Sequence, residues 1–383
     1  MSTVAVKKDL LLWALDRSAQ SIDDLLPAFP RLREWIKGEK RPTLHQLEGF
    51  AKTTHTPLGF LLLPTPPAER MPIPHYRTVE GGRLWKPSAE LLDTIYCMQL
   101  RQAWMRDELI DQGQTPLAFV RSAHVGDAPD VVAGRMRGLL GFDENWAERE
   151  SSWTNALRRL REAIEEAGIL VVANGVVGNN SRRKLDPAEF RGFVLVDDYA
   201  PLVFVNNADA RAAQMFTLAH ELAHVFFGSS AAFDLRQMLP APDATEQACN
   251  RVAAEFLVPA NVLQQAWPAE RDDEQPFQAV ARRFKVSEIV AARRALDLGL
   301  IGRAAFFEFY DEYHAAERRR DGEAAGGGDF YLNRNLRVGV RFGRAVVGAV
   351  REGRLGYTEA YRLTGLYGRT FEQFAASLVV RGA

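Results

Sequence analysis

The chain has 383 residues, of which 47% are hydrophobic and 25% are charged, and its formal net charge at pH 7 is −1. This length predicts two or three domains, and the composition is that of an ordinary soluble globular protein. The balanced charge excludes binding to a polyanion through bulk charge, so any surface for nucleic acid must be local.

The cysteine count and the hydropathy pattern indicate the compartment of the protein. Only Cys97 and Cys249 are present, which is too few for a disulfide framework and favours a reducing compartment. No apolar run reaches the ~18 residues of a membrane span, and the first residues lack the apolar core of a signal peptide. We therefore expect a cytoplasmic protein that makes no contact with a membrane.

Residues 1–63 are predicted to form a domain of five short helices. The helix signals are Ser21 before the second helix, Gly38 after the third, Thr43 before the fourth and Pro57 near the start of the fifth. This arrangement, with the pattern Trp35-x-x-Gly38-Glu39-x-x-Pro42-Thr43, resembles the Xre-type, phage-repressor-like helix-turn-helix. The resemblance implies that the third helix enters the major groove of double-stranded DNA.

Basic side chains cluster at both ends of the predicted third helix. They are Arg31, Arg33, Lys37, Lys40 and Arg41, and such residues contact phosphates as well as base edges. Glu34 and Glu39 lie within the same cluster and make it only modestly basic. We expect double-stranded DNA as a partner of this domain and a homodimer as its assembly. The alternative is a small helical bundle whose solvated basic edge makes protein contacts.

A Pro-rich linker is predicted at residues 64–74, because repeated prolines favour an extended chain over a helix. The sequence of residues 75–150 predicts a helical connector that packs against the next domain and contributes no catalytic or metal-binding residues. Its histidines, His75 and His124, are isolated and typical of surface positions rather than of metal sites.

Residues 151–300 predict an α+β domain with a small sheet. The elements expected first are a helix from Leu157 to Ala167 and short apolar strands at 169–172, 193–196 and 202–205. A long helix follows these strands directly, with Asn206, Asn207 and Asp209 as candidate caps. Apolar residues cover this helix on nearly all sides, which indicates that it is buried.

The buried helix contains the motif His220-Glu221-x-x-His224. The spacing places the two histidines one turn apart on one helix face, where they can hold one metal ion. Glu221 can then reach a metal-bound water and act as its general base. The alternative is a chance pattern on a solvated helix face. It conflicts with the apolar surroundings, because buried polar groups need partners and a metal ion satisfies all three residues.

A catalytic zinc site needs a third protein ligand. The candidate is Glu246, in a second helix with an apolar face that ends before Pro259. Asn250, one turn further along, can orient a ligand histidine. The alternative interpretation is that Glu246 belongs to a capping box in which Asp243 is the cap.

Together these motifs resemble the ImmA/IrrE family of zinc metallopeptidases. The matching residues are His-Glu-Leu-Ala-His at 220–224 and the pattern Glu246-x-x-x-Asn250-x-x-Ala-Ala-x-x-Leu-x-Pro259. The resemblance implies that His220, His224 and Glu246 bind one zinc ion and that Glu221 is the catalytic carboxylate. Manganese or iron also suits two histidines and one carboxylate. The candidates for a second donor to the oxyanion are Arg191, Tyr199 and Tyr331.

The resemblance implies a zinc-dependent endopeptidase and transcriptional regulator. Its substrate would be a specific regulatory protein, such as a helix-turn-helix repressor, cleaved in stress response or mobile-element induction. The alternative is a DNA-binding regulator, or the antitoxin-like partner of a toxin, in which the peptidase fold only senses or scaffolds. The intact set of His220, Glu221, His224 and Glu246 favours the enzyme.

Residues 301–383 predict a helical C-terminal extension of unknown role. Within it, residues 330–332 and 338–342 predict a small hairpin, and a helix is expected to begin at Ala345. Residues 279–294 resemble another helix-turn-helix, but in the family this stretch belongs to the peptidase domain, so we interpret it as packing. The predicted fold class is α+β and mostly helical, in the order helix-turn-helix domain, connector, zincin-like domain with a small sheet, and helical extension.

Overall fold

The computed structural model describes residues 3–69, 72, 87–233, 243–320 and 335–380. The chain divides into two compact units, one formed by Met1–Pro72 and Val79–Ile95, the other by Ile73–Thr78 and Tyr96–Ala383. The described residues are mostly helical with a small sheet, which confirms the predicted α+β class. Among these residues, no helix combines the length and the apolarity that crossing a membrane requires.

The first unit contains short α-helices followed by a 3-10 helix. They are α1 (Lys8–Arg17), α2 (Ile22–Leu25), α3 (Leu32–Lys37), α4 (Leu44–Thr53) and the 3-10 helix Leu58–Leu62. Ser21 and Thr43 each begin a helix with a reciprocal capping box, and Gly38 ends α3 with a φ of 76°. The fifth helix predicted near Pro57 is this 3-10 helix. The identity of this unit as a helix-turn-helix domain stays a prediction.

The remaining helices begin within the predicted connector, residues 75–150, and continue to the end of the described residues. They are α5 (Ala89–Asp111), α6 (Pro129–Leu140), α7 (Trp153–Glu166), α8 (Arg211–Phe227), α9 (Ala244–Leu257), α10 (Ala260–Glu270), α11 (Pro276–Phe284), α12 (Glu288–Asp297), α13 (Arg303–Arg320), α14 (Val340–Arg351), α15 (Tyr357–Thr364) and α16 (Gly368–Val380). The face of α12 that includes Val290, Ala291 and Ala295 is buried, in agreement with its interpretation as packing.

Within the described residues, the second unit contains a four-stranded sheet and a separate hairpin. The strands are β1 (Leu170–Ala173), β2 (Val176–Val177), β3 (Asn180–Lys184), β4 (Gly192–Leu195), β5 (Leu202–Val205) and β6 (Ala231–Phe233). The sheet order is β1-β5-β4-β6, and β2 pairs with β3 in the hairpin. β1 is parallel to β5, whereas β4 is antiparallel to both β5 and β6. β1, β4 and β5 thus lie within one residue of their predicted positions.

Helix α8 packs against β4, β5 and α9. Every residue from Gln214 to Phe226 is buried, which confirms the prediction of a buried helix. Its apolar side chains share one core with Val194 of β4 and Val203 of β5. Gly228 ends the helix with a φ of 76°, a left-handed conformation that glycine adopts without a steric penalty.

The predicted side-chain caps of α8 are wrong. The N-cap residue is Ala210, which makes no side-chain hydrogen bond. The side chains of Asn206, Asn207 and Asp209 bond instead to Ala208 N, Ala173 O and Ala210 N, respectively. These bonds stabilise the loop between β5 and α8, because the polar side chains turn toward nearby loop and strand backbone and not toward the first turn of the helix.

The second half of the predicted C-terminal hairpin is wrong, because α14 begins at Val340, five residues before the expected Ala345. The first half lies outside the described residues. Gly339 precedes the helix with a φ of 85°, and a Cβ there would lie 2.8 Å from Val171 O. The alternation of apolar residues favours a strand only over 338–340, whereas the buried side chains that follow have helical spacing.

Candidate metal centre

Two helices bring three potential metal ligands together. His220 and His224 lie on α8 with their Nε2 atoms 3.0 Å apart. The carboxylate of Glu246, on α9, lies 3.2 Å from Nε2 of His220 and 2.9 Å from Nε2 of His224. One ligand atom from each residue lies within 4.8 Å of the others. Two imidazole nitrogens and a carboxylate form a donor set that suits zinc.

The start of α9 explains the position of Glu246. Asp243 caps this helix, since its Oδ1 accepts hydrogen bonds from the backbone N–H of Thr245 at 2.8 Å and of Glu246 at 3.1 Å. The carboxylate of Glu246 lies against the histidines. The buried face of α9, which includes Cys249 and Val252, shares a core with α8. Asp243 therefore acts as the cap, while Glu246 remains available as a ligand.

Burial and hydrogen bonding control the charges of the candidate ligands. Burial raises the pKa of Glu246, but hydrogen bonds from His220 and His224 outweigh it and hold this pKa well below its usual range. Burial lowers the pKa of His220, and this effect is opposed by Glu246 and by a hydrogen bond with Asn250. An ionised carboxylate and a neutral imidazole are the forms that bind metal ions. The hydrogen bond with His220 also places Asn250 beside a candidate ligand.

Glu221, the remaining polar residue of the motif, is 0% exposed. Among the described residues, neither of its carboxyl oxygens has a hydrogen-bond partner. Burial, together with the nearby charge of Glu246, raises the pKa of Glu221 well above its usual value. A buried carboxyl group without partners is costly. Such a group beside three converging donor atoms fits a site that holds a metal ion and a polar reactant.

The region around this site matches a known family. Residues 164–296 match the model of the IrrE N-terminal-like domain, Peptidase_M78. The match confirms the resemblance to ImmA/IrrE peptidases for this part of the chain and indicates a metallopeptidase-type function. Residues 338–377 match a domain of unknown function, DUF8813. No curated protein matches the chain.

Within the matched residues 164–296, β4 approaches α8 closely at Gly192. A Cβ at this position would lie 2.5 Å from Cγ2 of Thr217, 2.8 Å from Phe204 O and 3.4 Å from Oε1 of Glu221. The strand therefore requires a residue without a side chain beside the motif. Gly192 is not among the site residues predicted above. Its local signal is a glycine at the start of an otherwise apolar strand.

We expect Gly192→Ala to destabilise the protein by about 1–3 kcal/mol, since the new methyl group collides with backbone and forces α8 or β4 to shift. Thermal unfolding of the metal-free protein measures this effect. The matched control is Gly134→Ala on α6, where a Cβ meets nothing within 4 Å. Equal melting temperatures for wild type and Gly192→Ala would contradict the close approach.

We also expect Glu221→Gln to stabilise the metal-free protein, and to do so more at mildly alkaline pH than below pH 4.5, the ordinary pKa of the group. The raised pKa keeps the folded carboxyl group protonated as pH rises, while the unfolded chain ionises. Wild type therefore loses stability over this range, and glutamine does not. Urea unfolding at both pH values measures the difference. The same pH dependence in the two proteins would refute the explanation.

The candidates for a second oxyanion donor differ in their positions. Tyr199 lies in the turn between β4 and β5, at the end of β4 away from Gly192, so the structure does not bring it to the site. Arg191 directly precedes Gly192 and pairs with Asp209 at 3.5 Å. Tyr331 lies outside the described residues.

The predicted DNA-contact residues lie at exposed positions around α3 in the first unit. Those with acidic partners are Arg33 with Asp23, Lys40 with Glu34 at 2.8 Å, and Lys37 with Glu39 at 3.9 Å. Arg31 is the N-cap residue of α3, and Arg41 lies in the loop before α4. The acidic partners reduce the positive potential of this surface. DNA binding stays a prediction.

Proposed function

We propose that this chain is a metal-dependent endopeptidase, in which His220, His224 and Glu246 hold a zinc ion and Glu221 transfers protons. The main observation is the convergence of three buried ligand atoms from two helices within 4.8 Å. The carboxyl group of Glu221, which has no hydrogen-bond partner among the described residues, lies in the same helix turn. The family match of residues 164–296 supports the proposal.

The residues of the site can divide the chemistry of peptide hydrolysis. A divalent ion held by the three ligands would supply Lewis-acid polarisation of the scissile carbonyl. Glu221 can accept a proton at a carboxyl oxygen from the attacking water and later donate it to the leaving amine. The positive charge of a bound ion would lower the pKa of Glu221 from its raised metal-free value, so that the carboxylate is ionised before it accepts the proton. The apolar core around α8 limits the access of other water molecules.

The sheet indicates where an extended substrate would bind. β4, the strand beside α8, is paired with β5 on one side and with β6 on the other. In the described part of the sheet, β6 is the outer strand nearest the site. A substrate segment would therefore add to the outer edge of β6 through backbone hydrogen bonds. Such pairing selects an extended segment, so sequence selectivity requires side-chain contacts as well.

The substrate class rests on the family resemblance. We infer a specific regulatory protein as the substrate, with a helix-turn-helix repressor as the first choice, and a role in stress response. This inference concerns a cytoplasmic enzyme with a narrow target and not a digestive protease.

Cleavage of peptides prepared from whole-cell protein tests the proposed activity. We expect the zinc-loaded protein to produce new peptide termini, a chelator to prevent them, and added zinc to restore them. Mass spectrometry of the termini measures the reaction and reports the residues around each cleavage site. A protein that holds zinc but cleaves neither this mixture nor purified repressors would be a metal-binding sensor or scaffold.

The second candidate function is that of a DNA-binding regulator, or of the antitoxin-like partner of a toxin. The short helices of the first unit, with capping boxes at Ser21 and Thr43 and a glycine turn at Gly38, favour it. Titration against labelled DNA from the protein's own promoter tests this function. The double variant Arg31→Ala, Arg41→Ala should weaken binding, because both side chains are exposed. The other three predicted contacts, Arg33, Lys37 and Lys40, form ion pairs with acidic residues of the protein itself. Homodimer formation belongs to the same proposal.

A further inference from the structure

Two arginines from outside the matched peptidase region lie at the carboxyl ends of the two helices that carry the candidate ligands. Arg121 lies in the segment between α5 and α6, and Arg137 lies within α6. Both precede residues 164–296, which match the IrrE N-terminal-like domain. The carboxyl end of a helix leaves its last backbone carbonyls without partners in the helix. These two arginines therefore meet groups that need hydrogen-bond donors.

The carboxyl end of α8 is bound by the segment that contains Arg121. The backbone N–H of Arg121 donates to Val225 O at 3.1 Å, and that of Ala123 donates to Phe226 O at 2.9 Å. Nη1 of Arg121 donates to Gly228 O at 3.2 Å. The last turn of α8, which begins at His224, is thus held by three hydrogen bonds from one short segment.

The contact between Arg121 and Gly228 is close and demands an unusual backbone. Arg121 has a φ of 57°, a left-handed conformation that is uncommon for a residue with a side chain. A Cβ at Gly228 would lie 2.6 Å from Cγ of Arg121. Asp198 accepts a hydrogen bond from Nε of Arg121 at 3.0 Å and so orients the guanidinium group. Arg121 thereby connects the loop before α6, the carboxyl end of α8 and the turn between β4 and β5.

The carboxyl end of α9 is bound by Arg137, which is buried. Its Nη1 donates to Glu255 O at 2.9 Å and to Phe256 O at 3.4 Å. Nε of Arg294 donates to Val258 O at 3.0 Å, directly after the helix. An arginine remains protonated in proteins, so Arg137 places a positive charge at the negative end of the α9 dipole.

We propose that Arg121 and Arg137 are positioning residues that fix the axial positions of α8 and α9 and thereby hold the ligands in register. His224 lies in the last turn of α8, while Glu246 lies in the first turn of α9. A shift of either helix along its axis would separate their ligand atoms. The connector is then part of the metal-binding unit, contrary to the expectation that it serves packing alone. This inference rests on the proposed function.

The two contacts are linked to each other by hydrogen bonds within the connector. Nη1 and Nη2 of Arg135, on α6, donate to Ser122 O at 3.2 Å and 3.1 Å. This ties the segment that binds α8 to the helix that binds α9. Without one of these contacts, the helices can take several positions, and only one of them brings the three ligand atoms together. The apparent metal affinity then falls in proportion to the fraction of molecules in that position.

Metal affinity of full-length variants tests the inference. The variants are Arg137→Met, which removes the buried guanidinium group, and Arg121→Gly, which keeps the left-handed backbone and its N–H donor. The control is Arg149→Ala, since Arg149 is an exposed connector residue whose guanidinium group pairs with the carboxylate of Asp143 and not with a carbonyl of either helix end. Competition with a chromophoric chelator measures Zn²⁺ and Co²⁺ affinity, and the Co²⁺ absorption spectrum reports the geometry of the ligands.

We expect Arg137→Met to weaken metal binding by about tenfold, the effect of leaving about one tenth of the molecules with the helices in register. We expect about two- to fivefold weakening for Arg121→Gly, an altered Co²⁺ spectrum for both variants, and wild-type behaviour for Arg149→Ala. If Arg137→Met fails to fold, the metal affinity and the Co²⁺ spectrum of Arg121→Gly test the inference, because Arg121 is half-exposed.

Two results would overturn the inference, and they are distinct. If wild type binds metal while the folded variants keep its affinity within twofold and its Co²⁺ spectrum, the arginines serve stability alone and the inference fails. If wild type binds no metal, the proposed function fails first and the inference falls with it.

Discussion

Glu221→Gln is expected to reduce peptide hydrolysis by about a hundred- to ten-thousand-fold, the range that a general acid–base group contributes. Glutamine has nearly the same shape as glutamate but cannot accept and return a proton at an oxygen. The side chain lies in the same turn as His220, yet it is not one of the three converging ligands. The metal content should therefore remain that of wild type. Parallel measurement of hydrolysis rate and bound zinc checks both parts of the expectation.

A matched control separates this effect from general damage to the fold. Glu162→Gln makes the same chemical change at a partly exposed residue of α7, whose carboxylate pairs with Arg158 on the surface. We expect wild-type hydrolysis from this variant. A Glu221→Gln protein that retains both zinc and the full rate of hydrolysis would remove Glu221 from the proposed chemistry. Loss of zinc from Glu221→Gln would instead give the residue a role in metal binding.

The parts of the site that could be predicted from the sequence are those with a local signal. The i, i+4 spacing of His220 and His224 fixes their common face for any helix, and the apolar residues around them indicate burial. Gly228 marks the end of the helix, and the structure shows it in the left-handed conformation. These conclusions depend on neighbours within one or two turns and need no tertiary information.

Other parts of the site depend on contacts between segments that are distant in the chain, and no local sequence pattern predicts them. The close approach of Gly192 to Thr217 and the binding of helix ends by Arg121 and Arg137 arise only when the elements pack. An arginine in a connector is typical of a solvated surface, and composition cannot distinguish Arg137 from its exposed neighbours. The connector was for this reason interpreted as packing without chemistry.

The incorrect predictions have a common cause in short patterns that suit more than one structure. The alternation at 338–340 favours a strand, but Gly339 turns the chain into α14, where a side chain would collide with Val171 O. The polar residues before α8 have the composition of caps, and yet the chain uses them in the loop. In both cases the local sequence pattern fits two backbone conformations, and tertiary contacts select one of them.

Glu246→Ala is expected to weaken zinc binding by more than about 100-fold. Loss of a residue that only hydrogen-bonds to a metal ligand weakens binding by about 10–100-fold, and loss of a ligand itself should have a larger effect. The change leaves the imidazoles of His220 and His224, with Nε2 atoms 3.0 Å apart, without a carboxylate to complete the donor set. Two protein ligands fall short of the three that catalytic zinc sites use. Hydrolysis should be lost with the metal, and an excess of zinc should restore little of it. Elemental analysis of the purified variant and chelator competition measure the affinity.

Asp243→Ala provides the control that distinguishes a ligand from a helix cap. It removes the acceptor of the Thr245 and Glu246 N–H groups and should cost about 1 kcal/mol of stability, as loss of an N-cap does. It leaves the carboxylate of Glu246 in place, so zinc should remain bound. If Glu246→Ala instead keeps wild-type zinc affinity and only loses stability, as Asp243→Ala does, then Glu246 belongs to the helix start and not to the metal site. The proposed catalytic centre would then lack its third protein ligand.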